Sequence, residues 1–141
     1  FESTIMALLS SELAKGSYRE IFGNYSDYLC YVPTNLGKEM DIMLMYNSPL
    51  SAEQIVSYDI LEVKRDEFDE AALKQLISYE SWFLQKKVAG DSNMVRTTAI
   101  AQSFSDEVIH YVAQRKRIEN KPIKLLRYVY EKNKLNLVDE V

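Results

Sequence analysis

Three charged side chains near the middle of the chain have the types and spacing that divalent-metal chemistry uses. Glu62 and Lys64 are two residues apart in the apolar run 60–64, so a strand would place both on the same face. Asp41 interrupts a second apolar run, 40–44, in the same way. If the two runs pair as neighbouring strands, with a long loop between them setting the register, Asp41 can face Glu62. Two carboxylates beside a lysine form a site for a hard cation such as Mg²⁺ or Mn²⁺.

A second pair of polar side chains follows the Glu62 strand in the sequence. Gln75 and Tyr79 are four residues apart, so on a helix they lie on one face, about one turn from each other. We expect that helix to pack back on the strand it follows, because an amphipathic helix buries its apolar face against its neighbour. This packing would bring Gln75 and Tyr79 to the rim of the carboxylate cluster.

The elements that position these residues can be inferred from hydrophobic periodicity and turn residues. Apolar spacing predicts a helix over 4–15, capped by Ser3 and ended by Gly16, and a longer helix over 66–88. Ser105 is predicted to cap a third helix that ends near Arg117. Strands are predicted over 28–33, 38–46, 56–64, 94–101, 123–130 and 135–138, with a polar loop over 47–53. The predicted order is α-β-β-β-α-β-α-β-β, in a single domain over residues 1–141.

Asp41, the triplet Glu62-Val63-Lys64 and the pair Gln75-x-x-x-Tyr79 together resemble the motifs of the PD-(D/E)XK nuclease superfamily. They are most similar to its RecB-like and NucS-like branch, which carries such a Gln/Tyr pair on the helix after the catalytic strand. The order of elements over 4–101 also matches the α-β-β-β-α-β core of that superfamily. The resemblance implies an α/β fold with a mixed sheet and a restriction-endonuclease-like core.

The resemblance also implies a metal site built on these residues. Asp41 and Glu62, with the Val63 carbonyl, would hold one or two Mg²⁺ or Mn²⁺ ions at the scissile phosphate. The superfamily usually adds an acid from the first helix, for which Glu2 is favoured over Glu12 because it precedes a Leu-rich turn.

Catalytic roles follow for the remaining motif residues, again as implications of the resemblance. Lys64 would position the attacking water and stabilise the transition state. Gln75 and Tyr79 would orient the metal ligands or hold the nucleic-acid backbone. The expected function is metal-dependent hydrolysis of phosphodiester bonds, in DNA rather than RNA, in repair or in defence against foreign nucleic acid.

The net charge of −4 conceals a basic segment late in the chain. Residues 110–134 carry eight lysines and arginines against two glutamates. A basic stretch in an acidic protein is a candidate contact for phosphates; the alternative is a solvated helix end and a strand edge protected by lysines. The side chains predicted to contact nucleic acid are Arg115, Lys116, Arg117, Lys121, Lys124 and Arg127.

Composition excludes several other classes of protein. The single cysteine, Cys30, excludes an internal disulfide and a cysteine-built zinc site, and a reducing, cytoplasmic setting is expected. One histidine gives little support to histidine-based catalysis, and the four glycines form no phosphate-binding loop. No run is long and apolar enough to predict a membrane span. Because Phe1 rather than Met begins the sequence, a longer chain with additional domains is one expectation, and a homodimer, as in related nucleases, is another.

The Glu-x-Lys spacing is weak evidence by itself, since the chain contains a second copy at 119–121, at a predicted helix end. A structural ion pair is the alternative interpretation of Glu62 and Lys64. Two alternative functions also stay open at this point. One is a module that binds nucleic acid without cutting it, and the other is an interaction domain whose acidic first half contacts a protein.

Overall fold

The computed structural model describes the backbone of residues 2–140 and the side chains of residues 4–140. The helices are α1 (Glu2–Ala14), α2 (Arg19–Phe22), α3 (Glu70–Lys86) and α4 (Asp106–Glu119), with a 3₁₀ turn at Ser92–Met94. The strands are β1 (Asp27–Pro33), β2 (Glu39–Ser48), β3 (Ser51–Val63), β4 (Glu67–Phe68), β5 (Val95–Ala101), β6 (Ser103–Phe104), β7 (Ile123–Glu131) and β8 (Lys134–Asp139). The predicted order is confirmed, and α2, β4 and β6 are short additions to it.

Six of the strands form one mixed sheet in the order β1-β2-β3-β5-β7-β8. The hairpins at its two sides are antiparallel. The central strands β3, β5 and β7 are parallel, because the crossovers through α3 and α4 return the chain to the same end of the sheet. β4 and β6 form a small parallel ribbon of their own. The predicted α/β class with a mixed sheet is confirmed.

Helices cover both faces of the sheet, and each covered face has its own apolar cluster. On the side that we call the α3 face, the cluster includes Ile60, Leu76, Phe83 and Ala99. On the opposite side, the α1 face, it includes Leu9, Ile42, Leu61 and Ile100. β3 and β5 are therefore buried on both sides where residues 60–63 pair with residues 97–100, and this buries the polar residues Glu62, Thr97 and Thr98 as well. No helix in the described part of the chain has the length and apolar character needed to cross a membrane.

Two helices begin at residues other than those expected. Ser3 was expected to cap α1 but lies inside it, because the helix already includes Glu2. α3 begins at Glu70 rather than near residue 66, because the preceding residues pair with β6 and the Asp69 side chain accepts the Ala72 N–H at 3.0 Å. The cap at Ser105 is confirmed: its hydroxyl accepts the Val108 N–H at 3.3 Å.

The expectation of a polar loop over 47–53 is wrong. β2 continues to Ser48 and β3 begins at Ser51, and these two residues pair across a tight turn at Pro49 and Leu50. The segment was misjudged because residues 51–54 are all exposed, so the ribbon buries neither face and needs no apolar alternation. A short turn, with register shifts next to Tyr46 and Asn47, therefore joins the two strands that carry the candidate site.

Asp59 is a buried carboxylate of β3 that faces away from Glu62. It is 3% exposed, and its Oδ1 accepts a hydrogen bond from the Thr98 hydroxyl at 2.9 Å on the α1 face. Burial raises the pKa of Asp59 from 3.8 to about 6, although the Thr98 hydrogen bond and the charges of Arg96 and Lys124 act in the opposite direction. The folded protein therefore binds this proton more tightly than the unfolded chain does.

We expect Asp59→Asn to stabilise the protein at neutral pH. Since the folded-state pKa of Asp59 is the higher one, its contribution to stability is full below about pH 4 and is lost as pH rises through about 6. Asparagine stays neutral and can still accept the Thr98 hydrogen bond. The free energy of unfolding should therefore exceed that of the wild type by up to about 3 kcal/mol at pH 7.5, and hardly differ near pH 4. Urea unfolding across this range measures the difference, and a gap that does not change with pH would contradict the assignment.

Candidate functional site

Asp41 and Glu62 lie where the β2–β3 ladder ends. The last pair of the ladder at this end is Ile42 with Leu61, and Asp41 and Glu62 are the next residues on the two strands. One step further, the Val63 N–H donates to Asp41 Oδ2 at 2.8 Å. The carboxylate of Asp41 is thus fixed against the triplet that contains Glu62 and Lys64.

Both carboxylates lie on the α3 face of the sheet and are shielded from water. Glu62 alternates with Leu61 along β3 and shares its side with Ile60, which packs in the α3 cluster. Glu62 is only 2% exposed, and Asp41 is half-buried. Two acids held this close in a poorly solvated place repel each other, and a bound cation removes that repulsion.

Gln75 and Tyr79 form a hydrogen-bonded chain that ends on β2, just before Asp41. Gln75 Nε2 donates to the Tyr79 hydroxyl at 2.6 Å, and that hydroxyl donates to the Glu39 carbonyl at 3.0 Å. Burial raises the pKa of Tyr79, and the charges of Glu62 and Asp41 raise it further against the effect of the Gln75 hydrogen bond. Tyr79 therefore stays protonated and donates a hydrogen bond to the strand that carries Asp41.

Lys64 directly follows the last residue of β3, and its backbone is tied to the neighbouring strand. Its N–H donates to the Ile100 carbonyl of β5 at 2.9 Å. The side chain is half-buried. The structure thus places Lys64 directly after the strand that carries Glu62, and the meeting of its ammonium with the two carboxylates stays a prediction.

Comparison with solved structures identifies the fold that carries this cluster. A repair endonuclease from Pyrococcus abyssi superposes with a TM-score of 0.55 and 16% identity, over 84% of this chain and 46% of that one. EndoMS in a complex with double-stranded DNA superposes with a TM-score of 0.50 and 16% identity, over 84% of this chain and 44% of that one. Sequence comparison matches neither a family model nor a curated protein. The chain shares its fold with these two endonucleases, and the predicted restriction-endonuclease-like core is thereby confirmed.

The third acid that the sequence resemblance predicts is not found among the described side chains. Over residues 4–140 no three acidic, histidine or cysteine side chains converge as they would on a metal ion. The side chain of Glu2, the favoured candidate, lies outside the described residues. The alternative, Glu12, is engaged at the end of α1, where its carboxylate accepts the Ser17 hydroxyl at 2.7 Å and pairs with Lys15 at 3.4 Å.

The donor set that is described fits a hard divalent cation. Asp41 and Glu62 offer carboxylate oxygens from adjacent strands, and the Val63 carbonyl adds a neutral oxygen. Mg²⁺ in proteins is commonly held by one or two carboxylates and keeps several of its waters. These donor types are the ones that magnesium and manganese ions take, and the binding of either ion stays a prediction.

The basic residues at the end of α4 lie far from this cluster. α4 runs back along the sheet, so that β7 begins at Ile123, which pairs with Thr97 near the start of β5. Lys116, Arg117 and Lys121 are therefore roughly 15–20 Å from Lys64 along the strand direction. They stay predicted phosphate contacts, but only for a nucleic acid that extends well beyond Asp41 and Glu62.

Lys124 and Arg127, on β7, face opposite sides of the sheet. The Lys124 ammonium donates to the Ile21 carbonyl at 2.7 Å on the α1 face. Arg127 pairs in register with Ala101 and therefore lies at the same end of the sheet as Lys64. Of the six predicted basic contacts, Arg127 is the one that the fold carries to this end.

The guanidinium group of Arg115 binds to other groups of the protein, and we therefore exclude Arg115 from the proposed phosphate contacts. Its side chain is 6% exposed and its Nη2 pairs with Glu80 Oε2 of α3 at 2.5 Å. Its Nε donates to the Lys121 carbonyl at 3.1 Å. A buried charge needs such partners. Because its ion-pair partner is on α3, Arg115 holds α4 against that helix.

Proposed function

We propose that this domain is a divalent-metal-dependent nuclease that hydrolyses phosphodiester bonds in DNA. The observation that carries the proposal is the hydrogen bond from the Val63 N–H to Asp41 Oδ2 at 2.8 Å. It ties the Asp41 carboxylate to the strand of Glu62 and Lys64, in a fold shared with repair endonucleases. The second Glu-x-Lys triplet lies at the end of α4 and not on a strand of the sheet.

Asp41, Glu62 and the Val63 carbonyl hold the metal ion in this proposal. When bound, Mg²⁺ or Mn²⁺ supplies a Lewis acid that lowers the pKa of a water and neutralises charge on the phosphate. Lys64 places a compact positive charge beside the attacked phosphorus, where negative charge grows in the transition state. The low exposure of Glu62 keeps bulk water from screening these charges.

Gln75 and Tyr79 act as positioning residues. The hydrogen bond from Tyr79 to the Glu39 carbonyl fixes the start of β2, two residues before Asp41. Gln75 in turn fixes the direction of the Tyr79 hydroxyl. Because metal-binding carboxylates work only within a narrow range of positions, this support contributes to activity without touching the phosphate.

DNA is the proposed substrate because EndoMS, which shares this fold, has been captured with double-stranded DNA. The chain spans less than half the length of each of the two similar structures, so a role of the whole protein in DNA repair is itself part of the proposal. A homodimer and further domains stay predictions, as does the contact of Lys116, Arg117, Lys121, Lys124 and Arg127 with the phosphate backbone.

We expect the purified protein to cleave DNA with Mg²⁺ or Mn²⁺, and EDTA to lower cleavage to the background rate. A metal-dependent nuclease loses its Lewis acid on chelation, whereas a contaminating metal-independent nuclease does not. Supercoiled plasmid, single-stranded and duplex oligodeoxynucleotides, and RNA of the same sequence separate the substrate classes. Salt-dependent binding without cleavage of any of them would indicate a non-cleaving nucleic-acid-binding module instead.

A further inference from the structure

The segment that follows β3, residues 64–66, lies outside the strand and is tied to the sheet at both ends. The Lys64 N–H donates to the Ile100 carbonyl of β5 at 2.9 Å. Two residues later, the Asp66 carbonyl accepts the N–H of Gln102, just beyond the end of β5, at 2.9 Å. Both hydrogen bonds join backbone to backbone. They fix the two ends of the segment, and the peptide units between them need a further contact to be fixed as well.

A tyrosine of β7 contacts the middle of this segment. The hydroxyl of Tyr128 donates a hydrogen bond to the Arg65 carbonyl. β5 lies between β3 and β7 in the sheet, so the two residues belong to strands about 10 Å apart. The side chain can reach across because β5 pairs with β7 only as far as Ala101 and Arg127. Tyr128 is the next residue of β7, where β5 no longer pairs with it.

The surroundings of the Tyr128 ring suit a hydroxyl that holds the backbone. The ring is half-buried and packs against the cluster of the α1 face. Burial raises the pKa of Tyr128, and the charge of Asp66 raises it further against the effect of Arg65, so the hydroxyl stays protonated and can donate. Glu62 lies on the α3 face. Tyr128 therefore holds the segment from the opposite side and leaves the space in front of the candidate metal ligands open.

We propose that Tyr128 is a positioning residue that fixes the backbone at Lys64, so that the lysine ammonium stays beside the attacked phosphate. The inference rests on the proposed nuclease function and adds to it a residue outside the sequence motif. The ammonium of a lysine is carried on a flexible four-carbon stem, so its place depends on the backbone from which the stem starts. A displacement of about 1 Å in a reacting group can cost a large part of the rate. Tyr128 thus acts through Lys64 and does not touch the substrate.

The alternative is that this hydrogen bond only stabilises the fold, and Tyr46 offers a matched control for that role. The Tyr46 hydroxyl also donates to a backbone carbonyl, that of Phe22, at 2.6 Å. Tyr46 lies on β2, about 17 Å from Asp41 along the strand. Tyr46→Phe and Tyr128→Phe therefore remove the same group with the same kind of partner, one far from the candidate site and one next to it.

A double-mutant cycle between Tyr128 and Lys64 tests the inference. Steady-state cleavage of DNA with Mg²⁺ is measured for Tyr128→Phe and for Tyr46→Phe, each in the wild type and in Lys64→Met. We expect Tyr128→Phe to lower kcat of the wild type about tenfold with KM nearly unchanged, because the ammonium acts in the transition state. In Lys64→Met there is no ammonium to position, so the same substitution should change kcat less than about twofold. Tyr46→Phe should keep kcat within about twofold in both backgrounds.

Hydrogen exchange of the backbone amides reports on the segment without depending on cleavage. The amides of Lys64 and Gln102 close its two ends, so their exchange measures how often the segment opens. We expect Tyr128→Phe to raise the exchange rate of both amides about fivefold or more, and Tyr46→Phe to leave them as in the wild type. Unchanged exchange in Tyr128→Phe would overturn the inference, whether or not DNA is cleaved.

The kinetic outcomes separate this inference from the proposed function. An unchanged kcat in Tyr128→Phe, or an equal loss of kcat in the wild type and in Lys64→Met, would overturn the positioning role, while cleavage by the wild type would still support the nuclease function. An equal loss in Tyr46→Phe would show that any missing tyrosine hydroxyl has this effect, and would overturn the inference too. If the wild type cleaves no DNA, the proposed function fails and the positioning role fails with it.

Discussion

Replacement of Asp41 by asparagine is expected to lower the rate of metal-dependent cleavage about a thousandfold. The substitution removes one of two carboxylates offered to the ion, and several kcal/mol of transition-state stabilisation depend on that ion. The fold should survive, because the asparagine Oδ1 can still accept the Val63 N–H that Asp41 Oδ2 accepts at 2.8 Å. Initial rates at saturating substrate, over a titration of Mg²⁺ and Mn²⁺, measure the loss, and circular dichroism checks the fold.

Glu62→Gln should behave like Asp41→Asn, and a matched control lies in the same strand. Glu53 is an exposed acid of β3, on the ribbon beyond the sheet, and Glu53→Gln makes the same chemical change away from the candidate site. Its cleavage rate should equal that of the wild type. Full activity in Asp41→Asn would contradict the metal site directly, whereas equal losses in Glu53→Gln and Glu62→Gln would indicate a general effect of charge.

The meeting of Asp41 and Glu62 could be predicted because it depends on local rules. Side-chain alternation in a strand is fixed by backbone geometry. When two apolar strands that each contain one acid become neighbours, most arrangements bring the two acids close together. The helix cap at Ser105 follows from an equally local hydrogen bond. These features needed no knowledge of distant contacts.

The positions of the basic residues of segment 110–134, at different ends and on different faces of the sheet, could not be predicted, because they depend on where α4 packs. Sequence proximity suggested one patch, but α4 and β7 run in opposite directions and present their residues at different ends and on different faces. Glu80, the partner of Arg115 at 2.5 Å, is 35 residues earlier in the chain. Nothing in the local sequence of Arg115 distinguishes an arginine that binds phosphate from one that joins two helices.

The charge of Lys64 is expected to act on the reaction step rather than on metal binding. Lys64→Met keeps the length and the apolar stem of the side chain but removes the ammonium, and we expect it to lower kcat by a few hundredfold, the usual effect of losing one group that stabilises transition-state charge. Lys64→Arg should recover little, because the planar guanidinium cannot take the place of a compact ammonium.

Measurement of the Mg²⁺ concentration at half-maximal rate separates the role of Lys64 from that of the carboxylates. Because a cation is not a metal ligand, Lys64→Met should leave this concentration unchanged or lower it, while Asp41→Asn should raise it severalfold. Lys74→Met is the matched control, since Lys74 is an exposed lysine of α3 paired with Glu70 at 3.3 Å, and it should keep the wild-type kcat. A rise in the half-maximal Mg²⁺ concentration in Lys64→Met would instead mean that the ammonium supports the carboxylates, and the attacked phosphate would then need its positive charge from another residue.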